Sequence, residues 1–126
     1  MSGRGLEGEV MRKNIGVKRI YAPADQADGT RVLIMRLWPR GIRKERVDLW
    51  RKELGPVKEL LRDFLDKKVD WPTYMRRYLA GLERPEAGEA IAEVRALARK
   101  GRVTLLCGCA DETHCHRSLL ASYLRA

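Results

Sequence analysis

Side-chain amides are nearly missing from this chain: Asn14 and Gln26 are the only two in 126 residues. Beside them stand 34% charged residues. That combination is what heat-adapted proteins show, and a GC-rich genome that inflates arginine gives the same look. Long apolar runs are also absent. None approaches the ~20 residues a membrane helix needs, and the N-terminus has no apolar signal core, so the chain reads as cytoplasmic with no membrane partner. There is no internal repeat, no Gly-rich phosphate loop, no Gly-x-Ser-x-Gly elbow, no His-Glu-x-x-His and none of the usual nucleic-acid signatures. The Cys-x5-Arg loop of cysteine phosphatases is missing too, because Thr113 stands six beyond Cys107 and Cys115 six beyond Cys109.

Cysteine is scarce and odd in number, three in all. In a cytoplasmic chain this argues against a disulfide framework and for free thiols or a metal site. A heat-adapted source weakens that argument, with Cys109 and Cys115 as the pair to bridge. Cys107 and Cys109 are too close in the chain to join without strain.

What is present begins with charge. Lys and Arg exceed Asp and Glu by nine, which favours anionic partners such as nucleic acid, anionic metabolites or phosphate; solubility alone is the other reading of the same excess. The length fits one domain with a real core. Residues 1–14 are Gly-rich and without period, and are expected to form a disordered leader before a single domain over 15–126.

Short strands are expected at Val17–Tyr21 and Arg31–Leu37, with Asp28-Gly29 as the turn between them. The continuous apolar run from Val32 to Met35 predicts a strand buried on both faces. Asp48 is placed to cap a short helix containing Leu49, Trp50 and Leu54. Helices follow from Pro56 to about Leu65, from Asp70-Trp71-Pro72 onward with Trp71, Met75, Tyr78, Leu79 and Leu82 as the apolar stripe, and from Pro85 to Lys100 with Gly101 ending it. A strand over Val103–Cys107 and a helix over His116–Arg125 complete the chain. Strands joined through helices predict an α/β domain with a small, largely parallel sheet flanked by helices.

All cysteines and both histidines lie within ten residues: Cys107, Cys109, His114, Cys115 and His116, with Arg117 next. In parallel α/β sheets ligands bind beyond the carboxyl ends of strands, where the end of the second strand, with Arg36 and Arg40, is expected to meet Cys107 and the helix opening at His116. The leading expectation is a small enzyme acting on a phosphorylated or carboxylated substrate. Arg36, Arg40 and Arg117 would bind the anion, with Trp38 beside them; Cys107 would be nucleophile or redox thiol and His116 the proton carrier. An inert core thiol is the competing reading of Cys107. His114 is expected to be exposed and passive, and Thr113 and Ser118 to cap the last helix.

Two other readings use the same residues. Arg36 to Lys52 carries seven basic and two acidic side chains with Trp38 and Trp50 interleaved, a pattern able to grip a nucleic-acid backbone without catalysis. The Cys-x-Cys and His-Cys-His elements also hold enough soft ligands for tetrahedral zinc in a zinc-stabilised interaction domain. The spacing lacks paired Cys-x-x-Cys knuckles and adjacent ligands diverge, so no metal ligand and no cofactor is assigned on sequence.

Lys18-Arg-Ile-Tyr21, Asp28-Gly29, Arg36-Leu-Trp-Pro-Arg-Gly41, and Leu105-Leu-Cys107 with Cys115-His-Arg-Ser-Leu-Leu120 together resemble the YeaO-like family (domain of unknown function 488). The resemblance covers about Ile15 to Ala126 and implies a small α/β fold without supplying a reaction. It carries over Arg36, Trp38, Pro39 and Arg40, then Cys107, Cys115, His116 and Arg117. One departure stands out: similar proteins usually have aspartate before Arg36, and this chain has Met35, which removes a carboxylate as base or metal ligand.

Overall fold

The computed structural model describes residues 2–126. Four strands, β1 (Ile15–Arg19), β2 (Thr30–Leu33), β3 (Leu49–Trp50) and β4 (Val103–Cys107), form one sheet in the order β1-β4-β2-β3. Every pairing is parallel. The last strand in the chain therefore lies between the first two. Among the described residues five helices accompany the sheet: α1 (Ser2–Asn14), α2 (Lys58–Leu65), α3 (Trp71–Gly81), α4 (Pro85–Lys100) and α5 (His116–Arg125). The molecule is an α/β domain, as the alternation of strand and helix patterns implies, and none of its described helices is long and apolar enough to cross a membrane.

The two faces of the sheet are covered differently. Val32, Val103, Leu105 and Cys107 join the main core, which takes Met11 from α1, Leu60 from α2, Tyr74 and Tyr78 from α3, Val94 and Ala98 from α4, and Leu120 and Leu124 from α5. The opposite face carries Leu33 and Leu106 with Ile20, and the segment containing Trp38, Ile42 and Val47 packs over them. Alternation along a strand sends neighbours to opposite faces, so Cys107 points toward the helices while Leu106 does not. Val103, Leu105 and Leu106 are fully enclosed; burying a side chain of this kind is worth about 1.5–3 kcal/mol.

Local chemistry explains the element ends. The Asp70 carboxylate accepts from the Thr73 amide at 2.9 Å and opens α3, with Pro72 in the first turn. Pro85 opens α4 without losing a needed donor, and Gly101 follows its end. Gly29 has φ 64° at the turn into β2, where a Cβ would lie 2.1 Å from the Arg102 carbonyl oxygen; only glycine fits there.

Within the segment read as a leader lies α1, whose Met11 enters the core and whose Asn14 amide donates to the Ala98 carbonyl at 2.7 Å. Two expectations about elements fail. The helix expected after Asp48 is β3 followed by a 3-10 turn over Lys52–Leu54. Asp48 does not cap it; its carboxylate accepts from the Arg31 amide at 2.8 Å and its own amide donates to the Arg31 carbonyl at 2.9 Å. Edge pairing with β2 outweighs helical propensity here. Finally, β2 ends at Leu33 although the apolar run continues to Met35.

Candidate functional site

At the carboxyl end of β4, four ligand-type side chains converge. The Cys107 sulfur lies 3.6 Å from that of Cys109, 3.3 Å from that of Cys115 and 3.7 Å from His116 Nδ1. The four donor atoms all fall within 4.8 Å of one another. Cys107 is presented by the strand, Cys109 by the loop, Cys115 by the residue that precedes α5, and His116 by the first position of α5. Cys107 is 2% exposed, His116 3% and Arg117 4%; Cys109 is half-buried and forms the outer edge of the group.

The two chain regions expected to meet here do so through backbone. The Ile34 amide donates to the Leu106 carbonyl at 3.0 Å, and His116 Nε2 lies 2.6 Å from the Ile34 carbonyl oxygen. A carbonyl only accepts, so Nε2 carries a proton and, in the neutral ring, Nδ1 is the lone pair facing Cys107. Arg117 donates from Nη1 to the Cys109 carbonyl at 2.7 Å and approaches the Cys115 sulfur at 3.8 Å. Its Nε has no partner, and it makes no ion pair with a carboxylate among the described residues.

The thiols titrate as a group. Hydrogen bonds from Cys107 and Cys109 hold the Cys115 thiol far below its ordinary range, with His116 adding to them. The Cys107 thiol is pushed far up by its bonds to Cys109 and Cys115 and by burial. Cys109 is lowered by Cys107 but raised more by Cys115 and burial, to about 11.

The other expected site residues disperse. Arg36 turns toward the helices: Nη2 donates to the Gly55 carbonyl at 2.9 Å and Nε to the Pro56 carbonyl at 3.3 Å. Gly55 permits this approach, since a Cβ there would sit 2.6 Å from the Arg36 amide nitrogen. Trp38 goes to the opposite face, donating to the Ile42 carbonyl at 2.8 Å and meeting Trp50 edge to face at 5.4 Å. Arg40 is exposed, and its carbonyl accepts from the Tyr21 hydroxyl at 3.1 Å. His114 is exposed, with Nδ1 3.0 Å from the Asp111 carboxylate and its ring against Trp71. Met35 lies against Gly108, where a Cβ would come 3.3 Å from its methyl carbon.

Arg36 instead lines a cavity of about 250 Å³ shared with Glu53, Tyr78, Arg77, Arg84 and Glu86. Tyr78 lines this cavity and also packs against the His116 ring, centroids 5.4 Å apart. Its hydroxyl donates to the Leu54 carbonyl at 2.6 Å, and burial raises its pKa well above the ordinary value. Arg77 on α3 and Arg84, the extended residue just before α4, escaped sequence reasoning. Nothing in the sequence says that these two positions close on Arg36.

A parallel sheet that gathers cysteine, histidine and arginine at the carboxyl end of its central strand defines the class: a small α/β domain with a sulfur-rich end. The chain belongs to the YeaO-like DUF488 family. The family model described as "Active DUF488-N3 subclade" matches residues 15–126. "Uncharacterized protein YeaO" of Escherichia coli (strain K12) is 42% identical over 116 residues, covering 90% of this chain and 98% of that protein. An uncharacterized protein of Mycobacterium tuberculosis (strain ATCC 25618 / H37Rv) is 33% identical over 117 residues, 91% of this chain and 97% of the relative. No solved structure matches.

Proposed function

We propose that this protein is a small cytoplasmic enzyme that takes a phosphorylated or carboxylated substrate in the cavity lined by Arg36, Arg77 and Arg84. One observation carries the reading: Arg36, Arg77 and Arg84, from separate parts of the chain, line one concavity, and the Arg36 guanidinium is fixed by two backbone carbonyls. A pre-positioned guanidinium recognises an oxyanion by paired N–H donors and loses little freedom on binding. The volume is below the ~300–1,000 Å³ of drug-sized pockets, which suits a phosphate or a short carboxylic acid. Glu53 and Glu86 on the same wall supply acceptors for hydroxyl or amine groups of such a ligand.

This assignment keeps Arg36 as an anion-binding residue and replaces Arg40 and Arg117 by Arg77 and Arg84. Cys107 and His116 are buried behind Tyr78, so their contribution reaches a ligand in the cavity only through that ring. The test is calorimetric titration with inorganic phosphate, pyrophosphate and citrate. Saturable binding of at least one anion is expected, weakened about tenfold by Arg84→Ala, a loss of about 1.4 kcal/mol. No binding of any of the three at low ionic strength would remove the reading.

A second reading has its own support. Trp50 is 39% exposed and borders an open groove with Trp38, Arg43 and Lys44, a surface suited to single-stranded nucleic acid. Oligonucleotide binding that falls steeply with salt and is lost in Trp50→Ala would favour it.

A further inference from the structure

The geometry points to a closed tetrahedral metal centre in which Cys107, Cys109, Cys115 and His116 Nδ1 hold one zinc-class divalent ion. Metal–sulfur bonds of ~2.3 Å and metal–nitrogen bonds of ~2.0–2.1 Å imply tetrahedral edges of roughly 3.8 Å between sulfurs and roughly 3.6 Å between sulfur and nitrogen. The three edges radiating from Cys107 measure 3.6, 3.3 and 3.7 Å. The three edges at Cys107 therefore fall within about half an ångström of those a tetrahedral ion would impose, and all four donor atoms lie within 4.8 Å of one another. Adjacent residues were expected to diverge. Cys115 and His116 do not, because Cys115 is extended at φ −136° while His116 begins a helix, which turns both side chains inward. Only His114 points away.

Two further observations distinguish a metal centre from three thiols that merely pack together. The first is the histidine. Its Nε2–H is committed to the Ile34 carbonyl, the backbone contact that commonly orients a metal-bound imidazole and fixes the ligating nitrogen. The second is Arg117, buried beside the group without a carboxylate partner among the described residues. A lone buried cation is unfavourable. Three thiolates around a divalent ion with a neutral imidazole carry one net negative charge, and the guanidinium placed against Cys115 and the Cys109 carbonyl neutralises it. Each thiol releases its proton to solvent as it ligates, so binding is proton-coupled. Met35 against Gly108 leaves the ligand set free of carboxylate, which suits zinc over magnesium or calcium.

All four positions are filled by protein, so the ion has no open site for water or substrate. Such a site is structural: it ties the end of β4 to the start of α5. It is independent of the anion cavity, and either can fail without the other.

The experiment uses the full chain purified without chelator. Elemental analysis is expected to give one zinc per chain. Cobalt substitution should give thiolate-to-metal charge-transfer absorption with tetrahedral d–d bands. Cys109→Ser, at the half-buried edge, should lower that charge-transfer intensity by about one third, one thiolate of three. If the variant does not fold, mercurial titration of the unmodified chain should release zinc to an indicator in step with thiol blocking. Thiols that are fully reduced with no bound metal and no cobalt spectrum would overturn the proposal. So would iron with inorganic sulfide, or metal release that does not follow thiol titration.

Discussion

Among the described residues two arginines are buried, one toward each end of the sheet, and they are neutralised by different means. Arg31, 7% exposed, is the second residue of β2 and pairs with the Asp28 carboxylate, while its Nε donates to the Arg46 carbonyl at 2.6 Å. Arg117 at the other end meets sulfur and a carbonyl. A buried guanidinium needs a nearby anion. The amino end of the sheet provides one as an ordinary carboxylate. The carboxyl end provides one only when the cysteines are ionised. Each guanidinium keeps one buried nitrogen without a hydrogen-bond partner, Nη2 of Arg31 and Nε of Arg117, but the counter-charge of the first is fixed whereas that of the second depends on the state of a cluster, and that difference separates framework from site.

The comparison is broken most severely at Asp28. Its carboxylate accepts from Lys18, from the Asp25 amide and from Arg31. Asp28→Asn should lower stability by about 3–5 kcal/mol in chemical denaturation, because Arg31 stays buried beside a neutral amide. A loss below about 1 kcal/mol would mean that Arg31 is sustained by the backbone alone. The same residue sets an acid limit. Burial raises its pKa, but the bonds from Lys18, the Asp25 amide and Arg31 outweigh it and leave the value below the ordinary 3.8. The stabilisation is therefore fully present above pH 3.8 and is lost as pH falls through the lower folded value. The Asp28→Asn substitution should abolish that part of the acid transition.

Replacing Arg117 sharpens the contrast. Against an anionic cluster, Arg117→Met should lower stability by about 2–3 kcal/mol; against neutral thiols, the apolar substitution should raise it. Denaturation with and without a strong chelator separates the cases. The smallest effect belongs to the pair of exposed Arg77 and half-buried Asp63, 3.8 Å apart. Arg77→Ala should shift stability by no more than about 0.5 kcal/mol while weakening anion binding, so stability and binding part company at that residue.

How much of this was legible beforehand depends on where each signal sits. Strand β4 and helices α4 and α5 coincide with their sequence boundaries because Pro85, Gly101 and the apolar run at 103–107 are local punctuation. Strand β3 was hidden, since two residues carry no periodicity and their pairing with β2 is tertiary. The cysteine-histidine group was visible as residue types crowded into ten positions. Its internal geometry was not, because Cys115 and His116 converge only through a backbone change between neighbours. The arginine assignment failed for the converse reason. Arg36 and Arg40 lie close in sequence, but Trp38 and Pro39 turn the chain to the opposite face between them.

The placement of β4 between β1 and β2 bears on how the chain comes off the ribosome. The first three strands cannot complete a sheet while the fourth is still in the exit tunnel, since β1 and β2 have no edge in common without it. Nascent fragments would thus carry unpaired edges, and assembly of the sheet waits for residues 103–107. Sulfur and imidazole follow at once behind that strand, so the segment that closes the sheet also delivers the cysteine-histidine group.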